Sequence, residues 1–137
     1  MPKRTYVDAN VLMAAWRGKG DAGAKAMAIL DDPQRALVVS DAVRLEVMPK
    51  PLYENQQQES AFYAAIFGAA EQIPWQVPTL EQAHELAQRY GIAAMDAIHV
   101  ATAIAAQVDE FVSTEKPTKP MFRAREIPMT SLREPTL

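Results

Sequence analysis

The sequence predicts a three-layer α/β/α domain with a mostly parallel central sheet. Three observations predict it. Short β-prone runs alternate with longer helical patterns along the chain, which implies crossover units with helices on both faces of a sheet. A length of 137 residues suits one compact domain, 1–137, and is too short for two ordinary ones. With 49% hydrophobic and 23% charged residues the balance is globular, so a core can form without disulfide or structural metal.

The elements follow in order. Thr5-Tyr6-Val7 is a short strand, and Val11 to Trp16 a helix with Asn10 as its N-cap. Asp21 opens a second helix, Ala22 to Leu30, stopped at Asp31-Asp32-Pro33. Ala36 to Val39 is the clearest strand; Ser40 then caps a helix through Val47, ended by Pro49 and Pro51. Glu54 to Ile73 reads as one long helix with Gly68 a weak point, and Pro74 to Pro78 as a short strand between prolines. Thr79 to Tyr90 opens on a capping-box pattern, Thr-Leu-Glu-Gln, and stops at Gly91. Ala94 to Gln107 is helical, Glu110 to Val112 a strand, Lys116 to Met121 a loop, and Glu126 to Met129 an edge strand that tolerates Pro128.

Composition excludes several classes. The absence of cysteine removes disulfide scaffolds, thiolate metal sites and a cysteine nucleophile. The basic start Met1-Pro2-Lys3-Arg4 lacks the apolar stretch of a signal peptide, and the apolar run Ala61 to Ala70 is about half of the roughly 20 residues a membrane span needs. A cytoplasmic protein without a membrane partner is expected. A net charge of −3 and a pI near 5.4 argue against gripping nucleic acid by bulk positive charge, though not through a local patch or bound metal.

In parallel sheets ligands sit beyond the carboxyl ends of the strands. Here those ends carry Asp8, Ser40 and Ser113-Thr114-Glu115. Taken singly these are ordinary turn, capping or solvated residues. Helical spacing sets Glu46 on an apolar arc with Ala42, Val43, Leu45 and Val47, where a carboxylate is costly unless a cation or donors meet it. Asp96 lies in the first turn of an apolar helix, flanked by Met95 and Ala97, where helix-dipole complementation is the bland alternative. His99 reads as a satisfied core histidine and His84 as a surface one. Asp8, Glu46, Asp96 and Glu115 are thus candidates for one pocket. Packed together they would raise one another's pKa values unless a hard cation such as Mg²⁺ or Mn²⁺ lies between them.

These residues carry a pattern. Tyr-Val-Asp-Ala-Asn-Val-Leu (6–12), Val-Val-Ser-Asp-Ala-Val-Arg-Leu-Glu-Val (38–47), Met-Asp-Ala-Ile-His-Val-Ala-Thr-Ala (95–103) and Phe-Val-Ser-Thr-Glu (111–115) resemble the PIN-domain ribonucleases, most of all the VapC-type toxins of bacterial toxin–antitoxin pairs. The first and third blocks are the specific ones, and the tail after about Lys116 is atypical. The resemblance implies an Mg²⁺- or Mn²⁺-dependent ribonuclease leaving 5′-phosphate and 3′-hydroxyl ends, a homodimer, and a small antitoxin partner. Asp8, Glu46 and Asp96 match the family's three core acids. Asn10 and Ser40 match its supporting polar positions, and Ser113 its Ser/Thr before the fourth acid. Glu115 stands where that acid is usually aspartate; it would hold metal with Asp8 and Asp96.

Arg17, Lys19, Lys116, Lys119, Arg123 and Arg125 are candidate phosphate contacts. Trp16 could stack on a base, but its spacing with Leu12 and Met13 suits core packing. Phe62, Ile66 and Phe67 share a helix face that suits core better than a partner surface. Two other classes compete. Acyl-phosphate chemistry of the receiver or phosphatase kind wants an acid where Asn10 stands, or a paired acid near the start. A non-catalytic RNA- or protein-binding module with a weakened metal site is kept open by Glu115.

Overall fold

A computed structural model describes residues 1–133; the last four positions of the expected 1–137 domain lie outside the described residues. Five strands form one parallel sheet: β1 (Lys3–Val7), β2 (Arg35–Ser40), β3 (Glu71–Ile73), β4 (Glu110–Ser113) and β5 (Met129–Ser131), in the order β3-β2-β1-β4-β5. Seven α-helices connect them: α1 (Ala9–Arg17), α2 (Gly20–Leu30), α3 (Asp41–Val47), α4 (Pro49–Tyr53), α5 (Gln57–Ala69), α6 (Val77–Tyr90) and α7 (Ala94–Ala105). The α/β/α class predicted from the sequence is therefore observed.

The strand order explains the layers. From β1 the chain steps to β2 and β3 on one side, then crosses back to β4 and β5 on the other. Right-handed crossovers running in opposite directions put their helices on opposite faces. Accordingly α1 packs on α2, α3 and α5, whereas α6 packs on α7 and on a 3₁₀ turn at Pro120–Arg123. The reversal falls between β1 and β4, where a crevice opens beyond the strand ends.

The core is the middle of the sheet. Tyr6, Val7, Val38, Val39, Phe111 and Val112 are all fully buried, the near-continuous apolar pattern of strands covered on both faces. Tyr6 stacks on Phe111 with ring centroids 5.2 Å apart. Tyr63 and Phe67 of α5 are also buried, so one face of that helix packs into the core. The turn from α1 to α2 is tight: a Cβ on Gly23 would lie 2.7 Å from the backbone of Gly18, so only glycine fits.

Several expected boundaries are corrected. Asp8, not Asn10, caps α1, its carboxylate accepting from the Val11 N–H. The helix capped by Ser40 does end at Val47, as expected before Pro49; what the sequence did not show is that Pro49 opens a further short helix, α4, since proline's missing N–H is harmless in a first turn. The long helix expected over 54–73 is shorter. Ile73 precedes Pro74 and is biased to extended backbone, and Glu71–Ile73 instead pairs with β2, Val38 facing Glu71. The expected strand 74–78 is absent: 74–76 is a connection, and Val77 and Pro78 lie in the first turn of α6. The capping box at Thr79 is not used, because that helix starts earlier, at Val77. Gly91 does end it, in left-handed conformation with φ 70°. The last strand lies at Met129–Ser131 rather than 126–129, because Phe111 N–H already donates to the Pro128 carbonyl before the ladder proper begins.

Candidate active site

All five strands point the same way, so one rim of the sheet collects every strand's carboxyl end. Asp8 leaves β1 there. It is buried, hydrogen-bonded by the Ser113 hydroxyl from the end of β4 and by the Val11 N–H at the head of α1. This contact spans the crevice between β1 and β4. Burial is the leading cause that raises the Asp8 carboxyl, pushing it up to about 6; the Ser113 bond and His99 oppose the rise, and Asp96 adds to it.

Asp96 enters from the first turn of α7, whose N-cap residue, Ala93, offers no side-chain cap. It is partly buried, and its carboxyl is raised, first by burial and further by the negative charges of Glu115 and Glu46; Lys119 and His99 act the other way. Asp8 and Asp96 therefore feel each other, and Asp96 feels both remaining acids. The structure brings the four expected carboxylates into one electrostatic neighbourhood.

Glu46 differs from expectation in its surroundings. The buried face of α3 is Ala42, Val43 and Val47, whereas Leu45 is 70% exposed, so Glu46 stands at the margin of the apolar face and reaches solvent. One Glu46 oxygen is hydrogen-bonded to His99 Nε2. His99 is buried, and its Nδ1 lies 2.8 Å from the Tyr6 hydroxyl, which is 2.7 Å from Ser40 Oγ. Burial raises the Tyr6 phenol above its ordinary value, so it stays protonated. A carboxylate only accepts, so Nε2 is the donor to Glu46. Ser40, Tyr6, His99 and Glu46 thus form one continuous hydrogen-bonded chain. Ser40 also caps α3 through the Val43 N–H.

Glu115 follows β4. Its Oε1 accepts from Asn10 Nδ2 at 2.7 Å, and its Oε2 lies 3.7 Å from Lys119 Nζ. Its own N–H donates to Ser113 Oγ, and its carbonyl accepts from the Ser131 hydroxyl. Asn10, Ser40 and Ser113 each therefore touch a member of the acid group or the chain leading to it. Sequence reasoning missed Tyr6 and the His99–Glu46 contact; a tyrosine mid-strand and a histidine amid alanines are the only signals, and both suit plain core.

The donor set fits a hard divalent ion in kind, being carboxylate oxygens whose burial and mutual repulsion leave negative charge in want of a cation. Among the described residues, no three Asp, Glu or His side chains are grouped closely enough to ligate one ion together in this arrangement. Glu115 is instead held by Asn10 and faced by Lys119.

Two cavities adjoin Glu115. One of about 240 Å³ is lined by Asn10, Arg17, Lys19 and Arg133 among others; a second, of about 430 Å³, by Lys116, Thr118, Lys119 and Arg133. Of the expected phosphate contacts, Arg17, Lys19, Lys116 and Lys119 line them. Arg123 is elsewhere, donating to the Tyr90 carbonyl, and Arg125 lines neither cavity. Arg133, which sequence reasoning missed, lines both. Trp16 is 37% exposed and packs on Phe62, 5.5 Å between centroids. His84 is exposed, as expected. No helix among the described residues is long and apolar enough to cross a membrane.

Comparison with known proteins agrees with this architecture. The profile of the PIN domain matches residues 5–116. Among solved structures the chain is similar to VapBC2 from Rickettsia felis bound to a DNA fragment from their promoter, at 14% identity and TM-score 0.70, covering 93% of this chain and 98% of that one. It is also similar to a toxin–antitoxin complex from Klebsiella pneumoniae, at 22% identity and TM-score 0.70 over 95% and 98% of the two chains. A third similar structure is VapC20 of Mycobacterium tuberculosis, a sarcin–ricin loop cleaving toxin, at 16% identity and TM-score 0.66 over 90% and 98%. No curated protein matches by sequence.

Proposed function

This chain belongs to the PIN-domain family, and from that premise we propose that it is a metal-dependent endoribonuclease and the toxin of a type II toxin–antitoxin pair. The observation that carries the reading is the buried Asp8 carboxylate, raised to about 6 and coupled to Asp96 at the β1–β4 crevice. A fold evolved for stability alone would pair or neutralise such a group.

Asp8 and Asp96, with Glu115, would hold Mg²⁺ or Mn²⁺. The bound ion supplies an acidified water at neutral pH and neutralises charge on the scissile phosphate. The chain's own residues do the rest. Ser113 and the Val11 N–H hold the Asp8 carboxylate in orientation. His99 fixes one oxygen of Glu46, leaving the other to orient the attacking water and take its proton. Arg17, Lys19, Lys116 and Arg133 receive the phosphates flanking the cut, since the acidic centre itself repels RNA. Breaking the bond to the 3′ oxygen leaves a 5′-phosphate and a 3′-hydroxyl.

Likeness in fold to VapBC2, the Klebsiella complex and VapC20 supports the toxin assignment and a small antitoxin as partner; a cytoplasmic site of action is proposed with them. A homodimer is proposed with it.

The test compares native protein with Asp8→Asn and Asp96→Asn on a mixed RNA pool, with Mg²⁺ or Mn²⁺ and again with chelator, mapping the cut ends. Cutting is expected from native protein with metal alone. Equal cutting by the variants would identify a contaminant. No cutting under any condition would favour the binding-module alternative, which the engagement of Glu115 by Asn10 and Lys119 keeps specific.

A further inference from the structure

Of the four acids, Glu115 is the one whose carboxylate is engaged by a lysine of the chain itself. Asn10 Nδ2 takes Oε1 at 2.7 Å, and the Lys119 ammonium faces Oε2 at 3.7 Å. The placement is built rather than incidental. The Lys119 N–H donates to the Lys116 carbonyl at 3.0 Å and the Lys119 carbonyl accepts from Phe122 at 3.1 Å, which folds the segment back over Glu115. From the other side, the Ser131 hydroxyl and Ser113 Oγ hold the Glu115 backbone. Lys119 is also the foremost positive charge acting on Asp96, so one ammonium serves two acids.

We propose that Lys119 is a resident counter-cation of the acidic site, which competes with a divalent ion for Glu115 and holds that carboxylate against Asn10. This rests on the metal-dependent reading above. Without an ion, like charges at the rim are partly balanced by the ammonium. An arriving ion carries two charges to the ammonium's one, but must release Glu115 from both partners before that carboxylate can ligate it. The ammonium thereby lowers metal affinity and makes Glu115 the last ligand to join.

The test is Mn²⁺ binding by isothermal titration to the full chain, native and as Lys119→Met, Glu115→Gln, the double variant, and Asp8→Asn, with melting curves to confirm that each is folded. Lys119→Met is expected to tighten Mn²⁺ about fivefold, the scale of removing one partly solvated charge near a divalent ion. In the Glu115→Gln background the same change should tighten binding clearly less, since only the effect through Asp96 remains. Lys119→Met binding like native protein overturns the proposal. So does equal tightening with and without Glu115, which would be a general surface-charge effect. In either case a loss of binding in Asp8→Asn leaves the metal site standing, so only the lysine inference fails. No Mn²⁺ uptake by any folded chain overturns both.

Discussion

The two ends of the parallel sheet treat acidic residues in opposite ways. At the amino ends of the strands Glu110, Asp32 and Glu71 each have a basic partner. Glu110 is buried yet meets Lys3 at 2.7 Å and Arg35 at 3.1 Å; Asp32 pairs with Arg35 at 2.5 Å, and Glu71 with Arg4 at 2.8 Å. The Arg4 guanidinium also caps the end of α7 through the Ala106 carbonyl at 2.7 Å. At the carboxyl ends, Asp8 and Asp96 face other acids, and burial raises both. Burial alone does not mark a functional acid; burial without a matching cation does.

The sharpest contrast is kinetic. Asp96→Asn should reduce RNA cutting on the order of a thousandfold while leaving the fold intact, the scale of weakening the cation that would stabilise charge on the reacting phosphate. Glu110→Gln should leave cutting per folded molecule unchanged. Comparable losses in both would abolish the distinction between the ends.

Stability should invert that order. Glu110→Ala leaves Arg35 and Lys3 without their buried partner and should cost about 2–4 kcal/mol in denaturant melts. Asp8→Asn should do the reverse in chelator. The folded Asp8 carboxyl, at about 6, lies above its ordinary 3.8. Its contribution to stability is thus complete below about pH 4 and is lost as pH rises through about 6. The amide removes that loss while still capping α1. The variant should be more stable than native protein by about 1–3 kcal/mol at pH 7.5, with the gap closing near pH 4. An unchanged gap across that range would mean that Asp8 is not the strained group.

Smaller effects sharpen the picture. Tyr6→Phe removes the hydroxyl between Ser40 and His99 and should cost about 1–2 kcal/mol, with a several-fold drop in cutting at unchanged RNA affinity. A stability loss alone would make the chain to Glu46 purely structural. Least of all, Arg133→Ala should weaken RNA binding a few-fold and flatten its salt dependence by about one phosphate contact.

Where the residues speak through local chemistry, the sequence was legible. Apolar runs marked β1, β2 and β4, and Ser40 and Gly91 marked helix ends, because capping and left-handed turns depend on few neighbours. Glu71–Ile73 was illegible for the opposite reason: its strand exists only because β2 offers an edge to pair with. Leu45 misled because helical spacing shows which residues share a face, not which face meets the core.

The sequence by itself determined the layer architecture and that Asp8 and Glu115 leave strands at one rim, since strand direction and residue order suffice for that, while Glu46 and Asp96, on helices, were candidates for the same pocket. Only the tertiary structure decided how each acid is held: Asp8 by Ser113, Glu46 by His99, Glu115 by Asn10 with Lys119 facing it. Those partners lie up to 105 residues away along the chain. Contacts at such separation are set by how helices and strands pack, which no local pattern encodes.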